Sequence, residues 1–88
     1  MIITLEEAKN YLRVDTDFED ELIENLISAS QKLCAGIARL DEGDFETAGD
    51  VAKIATFYAL GYFYENREDS DYTKLTLTLR SLLFSIRE

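Results

Sequence analysis

Cys34 is the only cysteine in the chain, and none of the 88 residues is a histidine. A cysteine attacks as its thiolate, which needs an accessible, electropositive setting and usually a base nearby. The commonest general base and metal ligand is therefore missing, and Cys34 falls on the apolar stripe of a helical pattern. It reads as a packing residue. One cysteine allows no intrachain disulfide and suits a reducing compartment. Asp15, Asp17, Glu19 and Asp20 begin with the spacing of a calcium loop. The continuation fails, because Asp20 stands where that loop needs a glycine and Leu26 where it needs a bidentate glutamate. A charge cluster at a helix start is the remaining reading. Carboxylate pairs at hydrolase-like spacing arise by number alone among 18 acidic residues. The four glycines are scattered, so no phosphate-cradling loop is present. Five tyrosines and five phenylalanines could stack on bases, but Tyr58 and Tyr62 lie in an apolar stretch without interleaved arginine or lysine and read as core. These residues predict no catalytic residue, no cofactor site, no metal site and no enzymatic activity.

The elements that would position these side chains are all helical. Thr4 and Glu7 have capping-box spacing, and Leu5, Ala8, Tyr11 and Leu12 share one side of a helix over about 5–13. Thr16 and Glu19 repeat the spacing, with acids loading the positive end of a second helix over about 17–40. Its stripe is Leu22, Ile23, Leu26, Ile27, Ser30, Leu33, Cys34 and Ile37. Residues 41–44 read as a stop and turn, with Gly43 available for a left-handed cap. A third helix over about 48–66 is apolar almost all round, which predicts a central helix or one also covered by a neighbouring subunit. Gly61 inside it suggests close approach of another backbone. Leu75, Leu77 and Leu79 alternate with threonines as a strand would. No second strand is available to pair with them, and Leu79, Leu82, Leu83 and Ile86 have helical spacing, so a fourth helix over about 74–87 is expected. On it Leu77 and Phe84 lie about 20° apart, away from that stripe. They form either a subunit contact or, if Phe84 folds back, the rim of the core.

The expected fold is all-α, a small bundle of about four helices forming one domain over 1–88. A chain of this length buries roughly 60–65% of its unfolded surface, so support from partner subunits would be natural. Hydrophobic residues make up 47% and charged residues 31%, an ordinary globular balance. The net charge of −9 argues against general nucleic-acid binding and against docking on an anionic membrane. It serves solubility, or a surface that must not stick to DNA. The N-terminus lacks a signal-peptide pattern. The apolar stretch 51–64 is interrupted by Lys53 and too short to span a bilayer, so no membrane partner is expected and the chain is read as soluble.

Two stretches carry a resemblance. The opening Ile3-Thr4-Leu5-Glu6-Glu7-Ala8-Lys9-Asn10-Tyr11-Leu12-Arg13-Val14-Asp15, followed by Glu19-Asp20-Glu21-Leu22-Ile23, resembles the start of the phage head–tail connector family, also described as DNA-packaging adaptors. Tyr64-Glu65-Asn66-Arg67-Glu68 is similar to that family's aromatic–Glu–Asn–Arg–Glu element, and Leu82-Leu83-Phe84-Ser85-Ile86-Arg87 to its final helix. The chain departs from the family in having neither proline nor glycine over 69–79, before the last helix. The resemblance implies a virion (or prophage) structural subunit, made in the bacterial host cytoplasm and placed at the head–tail junction. Its partners would be further copies of itself in a ring of about a dozen, the portal protein, and a downstream adaptor or tail-completion protein. DNA would pass through without sequence-specific binding. Candidate subunit-interface residues are Tyr64, Arg67, Leu77, Arg80, Phe84 and Arg87. Arg67 could clamp a carboxylate of the next subunit or bond its own helix end. The competing reading is a small acidic binder, of antitoxin or DNA-mimic type, that blocks a basic partner. That reading requires a dense exposed band of carboxylates.

Overall fold

The computed structural model describes residues 2–66 and 72–87. Five helices follow in chain order: α1 (Leu5–Leu12), α2 (Asp20–Ala38), α3 (Glu42–Glu46), α4 (Asp50–Glu65) and α5 (Thr73–Leu83), which runs on into a 3-10 turn at Phe84–Ile86. The architecture is all-α, and among the described residues there is no strand. The leucine–threonine alternation of 75–79 is helical, and it places Leu75, Leu79 and Leu83 on one buried face.

α1 starts with the expected box. The Thr4 hydroxyl accepts from the Glu7 amide at 3.1 Å, and the Glu7 carboxylate accepts from the Thr4 amide at 3.0 Å. The box expected at Thr16 and Glu19 does not form. α2 begins at Asp20, well past Thr16, with no side-chain cap, and Asp17 and Asp20 are engaged with Lys9 at 3.0 and 2.8 Å.

The stretch 41–44 is not a plain turn. α2 ends earlier, with Arg39 and not Gly43 in the left-handed region (φ 59°), its amide pointing back to Ala35 and Gly36. Asp41 then caps α3 by accepting from the Asp44 amide at 2.8 Å. This short helix carries Phe45, one of the largest fully buried side chains, into the core. Gly49, at φ 95°, turns the chain into α4 in a conformation that side chains other than glycine's resist.

α4 touches each of the other four helices, and so does α2, so the two share the centre of the fold. Its apolar composition nevertheless divides into two faces. The buried face is small: Ala52, Ala55, Thr56, Ala59 and Leu60. Three alanines in register let α2 and α5 pack closely against its axis, while Ile54 and Tyr58 are left exposed. Tyr58 is thus not a core residue. At Gly61 the close neighbour is a ring and not a backbone, since a Cβ there would stand 3.2 Å from Cε2 of Tyr11. That ring also lies against Phe57, with centroids 4.9 Å apart.

The core has two parts. The larger joins Cys34, Ala35 and Ala38 of α2 to Phe45, the α4 alanines and the α5 leucines. The smaller joins Ile3 and Ala8 to Ile23, Ile27 and Leu60. Gln31, buried on α2, bridges the surrounding elements. Its Oε1 accepts from the Ile2 amide at 3.0 Å, and its Nε2 donates to Glu46 at 2.9 Å.

Candidate assembly surfaces

α5 sorts its side chains by face. Leu75, Leu79 and Leu83 are buried, while Leu77 is 57% and Phe84 78% exposed on the other side. Phe84 therefore does not fold back over the core edge. Arg80 is exposed between them, and Arg87 is half-buried just beyond. Arg67 lies outside the described residues. Tyr64 belongs to a different region. Its hydroxyl donates to Glu19 at 2.5 Å, tying the end of α4 to the start of α2, and its ring packs against the smaller core. The structure thus places Leu77, Arg80, Phe84 and Arg87 along one helix and its continuation, with Tyr64 elsewhere.

Two concave features accompany these residues. One, of about 540 Å³, is bounded by Tyr11, Tyr58, Tyr62 and Tyr64 around Gly61. The other, of about 390 Å³, runs between α2 and α5, with Leu33 and Ile37 on its floor and Lys32, Arg39, Arg80 and Arg87 around it. The spacing of hydrophobic residues could not show that cations from α2 and α5, and from the residues that follow each, meet in one groove, because that depends on how α2 and α5 cross.

The chemistry available at these surfaces is that of contact. Burial pushes the Cys34 thiol up to about 12, with the neighbouring Thr56 hydroxyl only partly opposing it. It stays protonated near neutrality and is no nucleophile. The acidic cluster before α2 serves α1: Asp20 and Asp17 bond to Lys9 and raise its pKa. Across the α1–α4 seam Lys53 meets Glu7 at 2.6 Å. This bond, with the Thr4 backbone bond next, holds the Glu7 carboxyl below its ordinary value. Gln31 likewise lowers Glu46. Among the described residues no helix is long and apolar enough to cross a membrane.

The family model described as Phage gp6-like head-tail connector protein matches residues 2–88. The chain belongs to that family. No curated protein and no solved structure matches it. The match covers α1 through the final 3-10 turn, so both concave features lie within the matched connector sequence. Membership identifies the chain as a phage connector, a structural component of the head–tail junction of a virion.

Proposed function

We propose that this connector is one protomer of a closed ring of about a dozen copies, a single domain over 1–88, that docks on the portal and forms part of the DNA passage between capsid and tail. It would be made in the host cytoplasm, act without catalysis, and bind a further adaptor or tail-completion protein on its far side. A ring built from one chain uses heterologous contacts, so each protomer needs two different adhesive faces. The observation that carries the reading is the bare apolar face of α5, where Leu77 and Phe84 stand open. Ile54 and Tyr58 of α4, with Tyr11 of α1, supply a second exposed apolar area on other elements. A fold with a modest core gains from covering such areas.

The described carboxylates favour this reading over a DNA mimic. Half of them stand in first turns, Glu6 and Glu7 on α1, Asp20 and Glu21 on α2, Glu42 and Asp44 on α3, and Asp50 on α4. There they suit the helix dipole, a placement that helix stability explains without a basic partner.

Native mass by light scattering, over a wide concentration range and with portal protein present or absent, tests the ring. A discrete species near a dozen subunits is expected. A strict monomer under every condition, portal included, would overturn it, and a tight dimer would favour the blocking protein.

A further inference from the structure

The groove between α2 and α5 gathers Lys32, Arg39, Arg80 and Arg87, four of the nine basic residues in a chain of net charge −9. Among the described residues the ion pairs use Lys9 and Lys53 and none of these four. Nε of Arg87 is buried and has no hydrogen-bond partner among the described residues. A buried guanidinium nitrogen left unpaired is costly, and a carboxylate or carbonyl brought into the groove would relieve it.

Gly36 is a second and independent sign. It sits within α2, where glycine is a poor helix former, on the wall of this groove. A Cβ added there would meet nothing within 4 Å, so no contact among the described residues explains it. An occupant that approaches the helix backbone would.

At the other end of α2 is a loop whose chemistry is the complement. Phe18, 95% exposed, stands between Asp17 and Glu19, with Asp15 and Glu21 exposed nearby. At 1.5 Å per residue, Phe18 and Gly36 are roughly 27 Å apart along the helix. The loop therefore cannot enter the groove of its own chain, but it can enter that of another.

We infer that residues 15–21 of one copy dock in the α2–α5 groove of the next, with Phe18 over Leu33, Ile37 and Gly36 and the exposed Asp15 and Glu21 among the four cations. This deepens the ring reading and rests on it, by adding a specific charged contact to the exposed apolar areas of α5 and α4. The contact is head-to-tail and non-reciprocal, as a ring requires, and opposite charge at its rims would speed encounter.

Mixed disulfide trapping tests it. One batch carries Phe18→Cys and another Gly36→Cys. Both positions are free of packing contacts that folding would need, and the native Cys34 is buried and inert. On mixing and oxidation, with portal present where the free chain does not assemble, the mixed dimer should exceed either same-variant product severalfold. In light scattering, Phe18→Asp and, separately, Arg80→Glu should each raise the midpoint concentration for assembly at least tenfold, and Asp15→Lys should recover part of the Arg80→Glu loss. Rings that form with an unchanged midpoint in Phe18→Asp, and without the mixed disulfide, overturn this contact and leave the ring. A chain that stays monomeric with portal present, and gives no mixed disulfide, overturns both. Binding of a DNA duplex abolished by Arg80→Glu, again with no mixed disulfide, would assign the groove to phosphate and also overturn the contact.

Discussion

The two ends of α2 treat charge differently. At the α1 end, Lys9 is held by two aspartates, Lys53 by Glu7, and the Tyr64 hydroxyl by Glu19. Each polar partner there closes a seam between elements of the same chain. At the α5 end, four cations surround a groove in which none is paired within the described residues, and one buried nitrogen is unsatisfied. Both ends rest on clusters of fully buried side chains, so the second is not merely a loosely built region. The difference separates polar groups that serve the fold from polar groups that the fold leaves available to something outside it.

The comparison fails if the groove end proves weakly folded, and Phe45→Ala probes that end most severely. Phe45 is fully buried in the larger core, and its truncation should cost about 3–5 kcal/mol in urea unfolding. A loss below about 1 kcal/mol would mean that the α3 plug is not packed as described. Gln31→Leu comes next. It deprives the Ile2 amide of its partner and should cost about 1 kcal/mol, the net contribution of one hydrogen bond.

Gly36→Ala sharpens the contrast because its sign is opposite. With open space for the methyl group, it should stabilise the monomer by about 0.5–1 kcal/mol in the same assay.

The smallest effect is the pH dependence of the α1 end. Glu7 is held below its ordinary value of 4.5, so its contribution is present above that pH and disappears as pH falls through the depressed value. Thermal melting between pH 6 and 3 should show part of the acid loss removed in Glu7→Gln and left intact in Arg80→Gln.

Helix class and approximate placement were legible in the chain because they depend on local periodicity and caps. The Thr4–Glu7 box, the stripe of α2 and the breadth of apolar residues in α4 each express themselves within a few turns. So does the resemblance to connectors, which the family match bears out. Other features were not local. Thr16 and Glu19 do not cap α2, because the helix starts well past Thr16 and the Glu19 carboxylate accepts from the Tyr64 hydroxyl of another helix. The stripe misses Gln31, Ala35 and Ala38, which are buried because α3 and α4 close over that side of α2. Tyr58 reads as core by composition but is exposed, because α4 turns its alanines inward.

The exposed face of α5 occupies a middle position. Helical geometry alone sets Leu77 and Phe84 apart from the stripe, but whether they are covered depended on where the chain ends packed. The sequence by itself determined a small all-helical bundle, since backbone hydrogen bonding and hydrophobic period act over neighbouring residues. Only the tertiary structure decided that Lys32 and Arg39 meet Arg80 and Arg87 in one groove, because the meeting of side chains forty or more residues apart is set by how two helices cross.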